Sequence, residues 1–139
     1  TELAKKIAKD GEGATKLIEV EAKNAITKSD AWKIAKSIIA SSLVKCAVFG
    51  NDPNWGRLMC AIGNSNAKFE EDLVDIYFEK EKIVSNGAAE NFDFEKVKKL
   101  MDTGALKITI DVKQGKESAT AYGCDMTYDY VKINARYST

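Results

Sequence analysis

Leu106-Lys107-Ile108-Thr109-Ile110-Asp111-Val112, then Gln114-Gly115-Lys116, then Ser118-Ala119-Thr120-Ala121-Tyr122 is the stretch whose reading decides the fold class. Its two arms alternate apolar and polar residues, the period of a half-buried strand. A glycine-centred turn between two such arms is a hairpin signal. Working back from it, Phe94, Val97, Leu100 and Met101 recur at helical spacing and predict an amphipathic helix that stops at Gly104. Before that helix, Val74–Phe78 and Lys82–Val84 read as strands turning back around Glu79–Glu81.

The front of the chain reads differently. Leu3, Ala4, Ile7 and Ala8 form one helical stripe within residues 2–10, which Gly11 and Gly13 end. Leu17–Ala22 alternates and reads as a strand. A helix follows from the cap pair Ser29-Asp30 through Trp32, Ala35, Ile38 and Ile39 to about Ser42. Leu43–Phe49 reads as a strand ending at Gly50. Asp52 then reads as an N-cap with Pro53 at the first helical position, where a missing N–H does no harm, and the helix runs through Leu58 and Ile62 to Gly63. Tyr128–Tyr137 is the last expected strand. Helices and strands interleave while the later strands are joined by hairpins, so the expectation is an α+β layered sheet-and-helix arrangement rather than a doubly wound parallel sheet.

Composition narrows the function classes. The 21 basic residues balance the 21 acidic ones, and no basic patch stands out to hold nucleic acid or an anionic membrane. No apolar run approaches the length of a membrane span, and residues 1–6 have no apolar signal core. With no histidine anywhere, neither a Cys/His zinc set nor a Ser-His or Cys-His nucleophile can be built from this chain alone. Cys46, Cys60 and Cys124 are widely spaced and odd in number, and read as reduced small hydrophobes of a cytoplasmic protein.

Four places could carry chemistry. An N-terminal threonine such as Thr1 can be a nucleophile that uses its own amine as base, but a lysine-rich helix follows it instead of a buried strand. Gly11-Glu12-Gly13-Ala14-Thr15-Lys16 lacks phosphate-loop spacing and precedes a strand, so no helix N-terminus faces an anion there. Glu12 between two glycines suits a substrate ammonium group, or is a solvated turn residue. Asn51–Arg57 reads as a strand-to-helix turn in which Arg57 could pair with Asp52 or bind a carboxylate. At the tail, alternation puts Tyr130, Lys132, Asn134 and Arg136 on one face, which is either solvated or a ligand surface.

Taken together, Gly11-Glu12-Gly13-Ala14-Thr15-Lys16, the run from Leu43-Val44-Lys45 through Phe49-Gly50 to Asp52-Pro53-Asn54-Trp55-Gly56-Arg57, and Cys124-Asp125-Met126-Thr127-Tyr128-Asp129-Tyr130-Val131-Lys132-Ile133-Asn134 resemble the ornithine acetyltransferase family of arginine biosynthesis. The resemblance covers essentially the whole chain, with its blocks in the family's order. It implies a precursor that cleaves itself before a threonine in an Ala-Thr-Met-Leu motif, leaving α and β chains associated as α2β2. It also implies a ping-pong transfer of acetyl from N-acetylornithine, through an acetyl-threonine, to glutamate. That chemistry needs no metal or dissociable cofactor, and some members also accept acetyl-CoA.

Carried over residue by residue, the resemblance makes Glu12, Asn134 and Thr139 substrate-binding residues. The ending Ala135-Arg136-Tyr137-Ser138-Thr139 differs from the family's Ala-Asp-Tyr-Arg-Thr at two positions, so Arg136 and Ser138 are not carried over. Only ten residues precede the glutamate block, and Thr1-Glu2-Leu3-Ala4 does not match Ala-Thr-Met-Leu. The nucleophile is therefore expected outside this chain, and the oxyanion donors in the α chain, leaving no catalytic residue here. The implied organisation is residues 1–24 on the family's self-processing α/β sandwich core, 25–125 as a C-terminal α/β subdomain, and 126–139 returning to the active site. A non-catalytic assembly module of the same complex is the alternative. A self-cleaving aminopeptidase relative is disfavoured by the Asp52–Arg57 block.

Overall fold

The computed structural model describes residues 16–124, in which helices pack on one mixed six-stranded sheet. In chain order the elements are β1 (Leu17–Ala25), α1 (Lys28–Ala40), α2 (Ser42–Phe49), α3 (Trp55–Gly63) and a 3-10 turn (Glu71–Leu73). They continue with β2 (Asp75–Phe78), β3 (Glu81–Ser85), β4 (Ala88–Ala89), α4 (Phe94–Met101), β5 (Ala105–Asp111) and β6 (Glu117–Cys124). The spatial order is β4-β3-β2-β5-β1-β6. The α+β layered class read from the sequence is what the chain adopts. The expected N-terminal helix and the Tyr128–Tyr137 strand lie outside the described residues.

The hairpin around Glu79–Glu81 forms: β2 and β3 are antiparallel, Phe78 faces Glu81, and Glu79 takes a left-handed φ of 55°. The other expected hairpin does not. β1 lies between β5 and β6, parallel to the former with Leu17 opposite Ala105, and antiparallel to the latter with Leu17 opposite Cys124. Residues 112–116 step over the end of β1 instead. Val112 N–H donates to Lys23 O (2.9 Å), and the Gln114 and Gly115 N–H groups donate to Asn24 O (2.9 and 2.8 Å). Stepping over one strand means spanning two inter-strand gaps, about 10 Å, which five residues reach easily. Gly115 is needed there because a Cβ would come within 2.7 Å of the Ala25 carbonyl carbon. Residue 25, at the expected boundary between terminal segment and subdomain, is thus the last residue of a strand embedded in the sheet.

The second difference is α2. Leu43–Phe49, read as a strand, is helical, and its buried Val44, Lys45, Ala47 and Val48 follow the spacing of one helix face. A short apolar run has no periodicity that separates a buried strand from a buried helix. Local chemistry decides: Ser41 Oγ accepts from Val44 N–H (3.2 Å), and Gly50 N–H closes the last turn on Cys46 O (3.1 Å). Caps elsewhere also shift. The first turn of α1 is capped by Thr27, whose Oγ1 accepts from Asp30 N–H (3.0 Å), rather than by Ser29-Asp30. Asn54 rather than Asp52 caps α3, its Oδ1 accepting from Arg57 N–H (3.1 Å), while Asp52 O takes Asn54 N–H (2.8 Å) in the tight turn before it.

The core lies between the sheet and the helices. Ile18, Val20 and Ala22 of β1, Ile76 and Phe78 of β2, and Leu106, Ile108 and Ile110 of β5 point into it. They meet Ala31, Ile34, Ala35 and Ile38 of α1 and Val97 and Met101 of α4. Helix α1 packs on β1 and β6, α4 on β2 and β5. The small residues Ala121 and Gly123 let α1 come close to β6, where a Cβ on Gly123 would lie 2.7 Å from Ile39 Cγ2. Alternate residues of the central strands (Glu19, Glu21, Lys107, Thr109, Tyr77) make a polar second face, with Lys107 paired to Glu21 at 3.3 Å.

Candidate functional site

Three sequence blocks carry the resemblance, and the fold brings described residues of each, Lys16, Val48 with Asn51, and Cys124, to one end of the sheet. The first block closes with Lys16, immediately before β1; the third opens with Cys124, the last residue of β6. Because Leu17 pairs with Cys124, the chain reaches β1 and leaves β6 side by side. The middle block arrives at the same end through α2. Lys16 is buried, and its Nζ donates to Val48 O at 2.9 Å and to Asn51 Oδ1. Val48 O belongs to the last turn of α2, where carbonyls point outward and the helix dipole is negative, so a lysine ammonium is favourable there despite burial.

Asn51 holds this junction in a left-handed conformation (φ 53°) that asparagine tolerates better than most residues. Its Nδ2 donates to Asp102 Oδ1 (3.3 Å) at the end of α4, and Gly104 O, two residues on, accepts Leu17 N–H (3.0 Å). Lys16, Asn51 and Asp102 therefore tie the entrance of β1 to the ends of α2 and α4. The effect is positional: the segments before β1 and after β6 start from adjacent, fixed points.

Glu12, Asn134 and Thr139 lie outside the described residues, as does Thr1. Glu12 is four residues before Lys16 and Asn134 ten after Cys124. Arg57 does not pair with Asp52. Its Nη1 donates to Leu43 O (2.9 Å), and Asp52 Oδ2 accepts from Asn54 Nδ2 (3.3 Å). Lys16 and Asn51 fall within the Gly11–Lys16 and Asn51–Arg57 stretches read from the sequence, which gave neither a role, and Asp102 falls in none. A lysine set directly against an apolar strand is a signal for the first; for Asn51 and Asp102 the sequence offers none, because Gly50 reads there as the end of a strand. Cys124 is buried as expected of a small hydrophobe, but Cys46 and Cys60 are exposed on α2 and α3, and none of the three is in a disulfide.

Among the described residues no group of three or more His, Cys, Asp or Glu could hold a metal, and no helix is long and apolar enough to cross a membrane.

Known proteins are similar over the whole chain. The arginine biosynthesis bifunctional protein ArgJ of Thermotoga neapolitana is 49% identical over 141 residues, covering 99% of this chain and 36% of that protein. ArgJ 1 of Clostridium acetobutylicum is 51% identical over 140 residues, covering 98% and 34%. The crystal structure of the Bacillus halodurans arginine biosynthesis bifunctional protein argJ superposes with a TM-score of 0.89 at 43% identity, covering 98% of this chain and 64% of that one. The chain thus spans roughly a third of the length of these curated relatives, corresponding to their C-terminal part. The ArgJ family model matches residues 1–139, and the chain belongs to that family.

Proposed function

We propose that this chain is the substrate-binding C-terminal part of a glutamate N-acetyltransferase of arginine biosynthesis, acting with an α chain and the rest of the β chain in an α2β2 assembly in the cytoplasm. A threonine outside this chain attacks N-acetylornithine, releases ornithine and, as acetyl-threonine, passes the acetyl group to glutamate. Glu12 receives the substrate ammonium group, and Asn134 and Thr139 orient the rest of the amino acid through amide and hydroxyl groups. No metal or dissociable cofactor takes part. Relatives are named bifunctional, which supports acetyl-CoA as a second donor for glutamate.

The observation that carries this reading is the pairing of Leu17 with Cys124. It starts the Glu12 and Asn134 segments from neighbouring points, as one shared amino-acid site requires. The test is co-expression of this chain with the remaining family segments. Acetyl transfer from N-acetylornithine to glutamate should appear only in the reconstituted assembly. Glu12→Gln should lower kcat/KM roughly ten- to a hundred-fold, the usual effect of losing one charge-assisted hydrogen bond. An acetyl adduct on Thr1 of the isolated chain would overturn the placement of the nucleophile. A stable, inert monomer would favour the assembly-module reading.

A further inference from the structure

A second site lies at the other end of α2. A groove of 310 Å³ opens where the C-terminal end of α1, the start of α2 and the outer face of α3 meet. Its floor is apolar, formed by Ala40, Leu43 and Ala61, and no acidic side chain lines it. Arg57, half-buried at its edge, commits one N–H to Leu43 O (2.9 Å), which fixes the guanidinium. Among the described residues that guanidinium has no carboxylate partner. Ser41 Oγ accepts from Val44 N–H (3.2 Å), so its hydroxyl proton remains available to donate. Ser41 is both the C-cap of α1 and the N-cap of α2, so the two helix dipoles oppose each other there, and the positive charge at the groove is that of Arg57. The eight residues of α2, about 12 Å of helix, separate this groove from the Lys16 junction.

We propose that this groove binds a small aliphatic carboxylate. The planar fork of Arg57 matches a carboxylate, Ser41 donates to it, and the ligand's stem lies on Ala40, Leu43 and Ala61. A single guanidinium with no second cation suits a monoanion better than a phosphate dianion. The volume, at the low end for ligand pockets, suits a molecule of amino-acid size. The same carboxylate chemistry could come from a side chain of another polypeptide segment, and the test separates the two sources.

Butyrate, with neutral butyramide as control, is titrated by calorimetry and by Arg side-chain NMR into the 139-residue chain and into the reconstituted assembly. Butyrate should bind both, shift the Arg57 resonance and be preferred to butyramide at least ten-fold. Arg57→Gln should abolish that preference. Cys60→Phe, which fills the groove from an exposed position and leaves Arg57 in place, should block binding without lowering the melting temperature. Equal binding of butyramide, or butyrate binding unchanged in both variants, would overturn the proposal. So would binding to the isolated chain that is lost in the assembly, which would identify the groove as a contact between polypeptide segments.

Discussion

Single residues show where local chemistry outweighs sequence pattern. Asn54 caps α3 although Asp52 and Pro53 are the stronger signal, because Asp52 is already engaged in the turn ahead of the helix. Asn54→Ala should lower stability by about 1 kcal/mol, the usual cost of a lost N-cap, measured by urea unfolding. Asp30 and Asp75 are buried carboxylates held below the ordinary range. For Asp30 the main cause is the Lys68 N–H, at 3.1 Å, followed by the Thr27 hydroxyl. For Asp75, burial pushes the carboxyl up, but the Asn86 N–H (2.9 Å) and the ammonium groups of Lys113 (3.0 Å) and Lys82 (3.3 Å) together outweigh it. A depressed folded pKa contributes stability that is fully present above the unfolded carboxyl value, about pH 4, and lost as the pH falls through the folded value. Stability should therefore decline below about pH 4, and in Asp75→Asn the decline should be shallower from a lower plateau. Unfolding curves at several acid pH values check this; an unchanged slope in the variant would contradict it.

Elements were legible where one face of a regular period had a clear partner. The alternation in Leu17–Ala22, the strands on either side of the Glu79-Lys80 turn and the stripe Val97–Met101 each correspond to a formed element because one face of each packs on the core. Leu43–Phe49 was not legible: a seven-residue run, apolar except for Lys45, fits either period, and the deciding groups are the flanking caps Ser41 and Gly50. The segment 112–116 shows a different limit. A glycine between two strands announces a reversal but not which strand lies inside it. Gly115→Ala tests the observed arrangement. Pressed against the Ala25 carbonyl, the substitution should cost about 1–3 kcal/mol, seen as a lower denaturation midpoint with an unchanged m-value. A cost below about 0.5 kcal/mol would mean that the loop does not cross the end of β1 so closely.

At the scale of the whole molecule, the central strands should be the most stable part. β5 and β1 have neighbours on both sides, whereas β4 is a two-residue exposed edge. Hydrogen exchange should be slowest at Val20 and Ile108 and fastest in Ala88-Ala89; equal rates would contradict the strand order. Ile108→Ala should cost about 2–5 kcal/mol, because it removes most of a fully buried side chain and leaves a cavity in the core. The same centrality gives the candidate site its frame. With β1 inserted between β5 and β6, the end that leads to Glu12 lies inside the sheet and the end that leads to Asn134 is paired to it.

By itself the sequence determined the α+β class, the exclusion of histidine chemistry and the family resemblance, since these rest on composition, on periods of two and 3.6 residues, and on contiguous motifs. Only the tertiary structure decided that β1 separates β5 from β6, that α2 is helical, and that Lys16 meets Val48 and Asn51. Each depends on groups far apart in the chain competing for the same partners. A strand takes its place by the hydrogen bonds left open beside it, and a buried ammonium goes to the carbonyls it can reach. No local pattern records the outcome of such a competition.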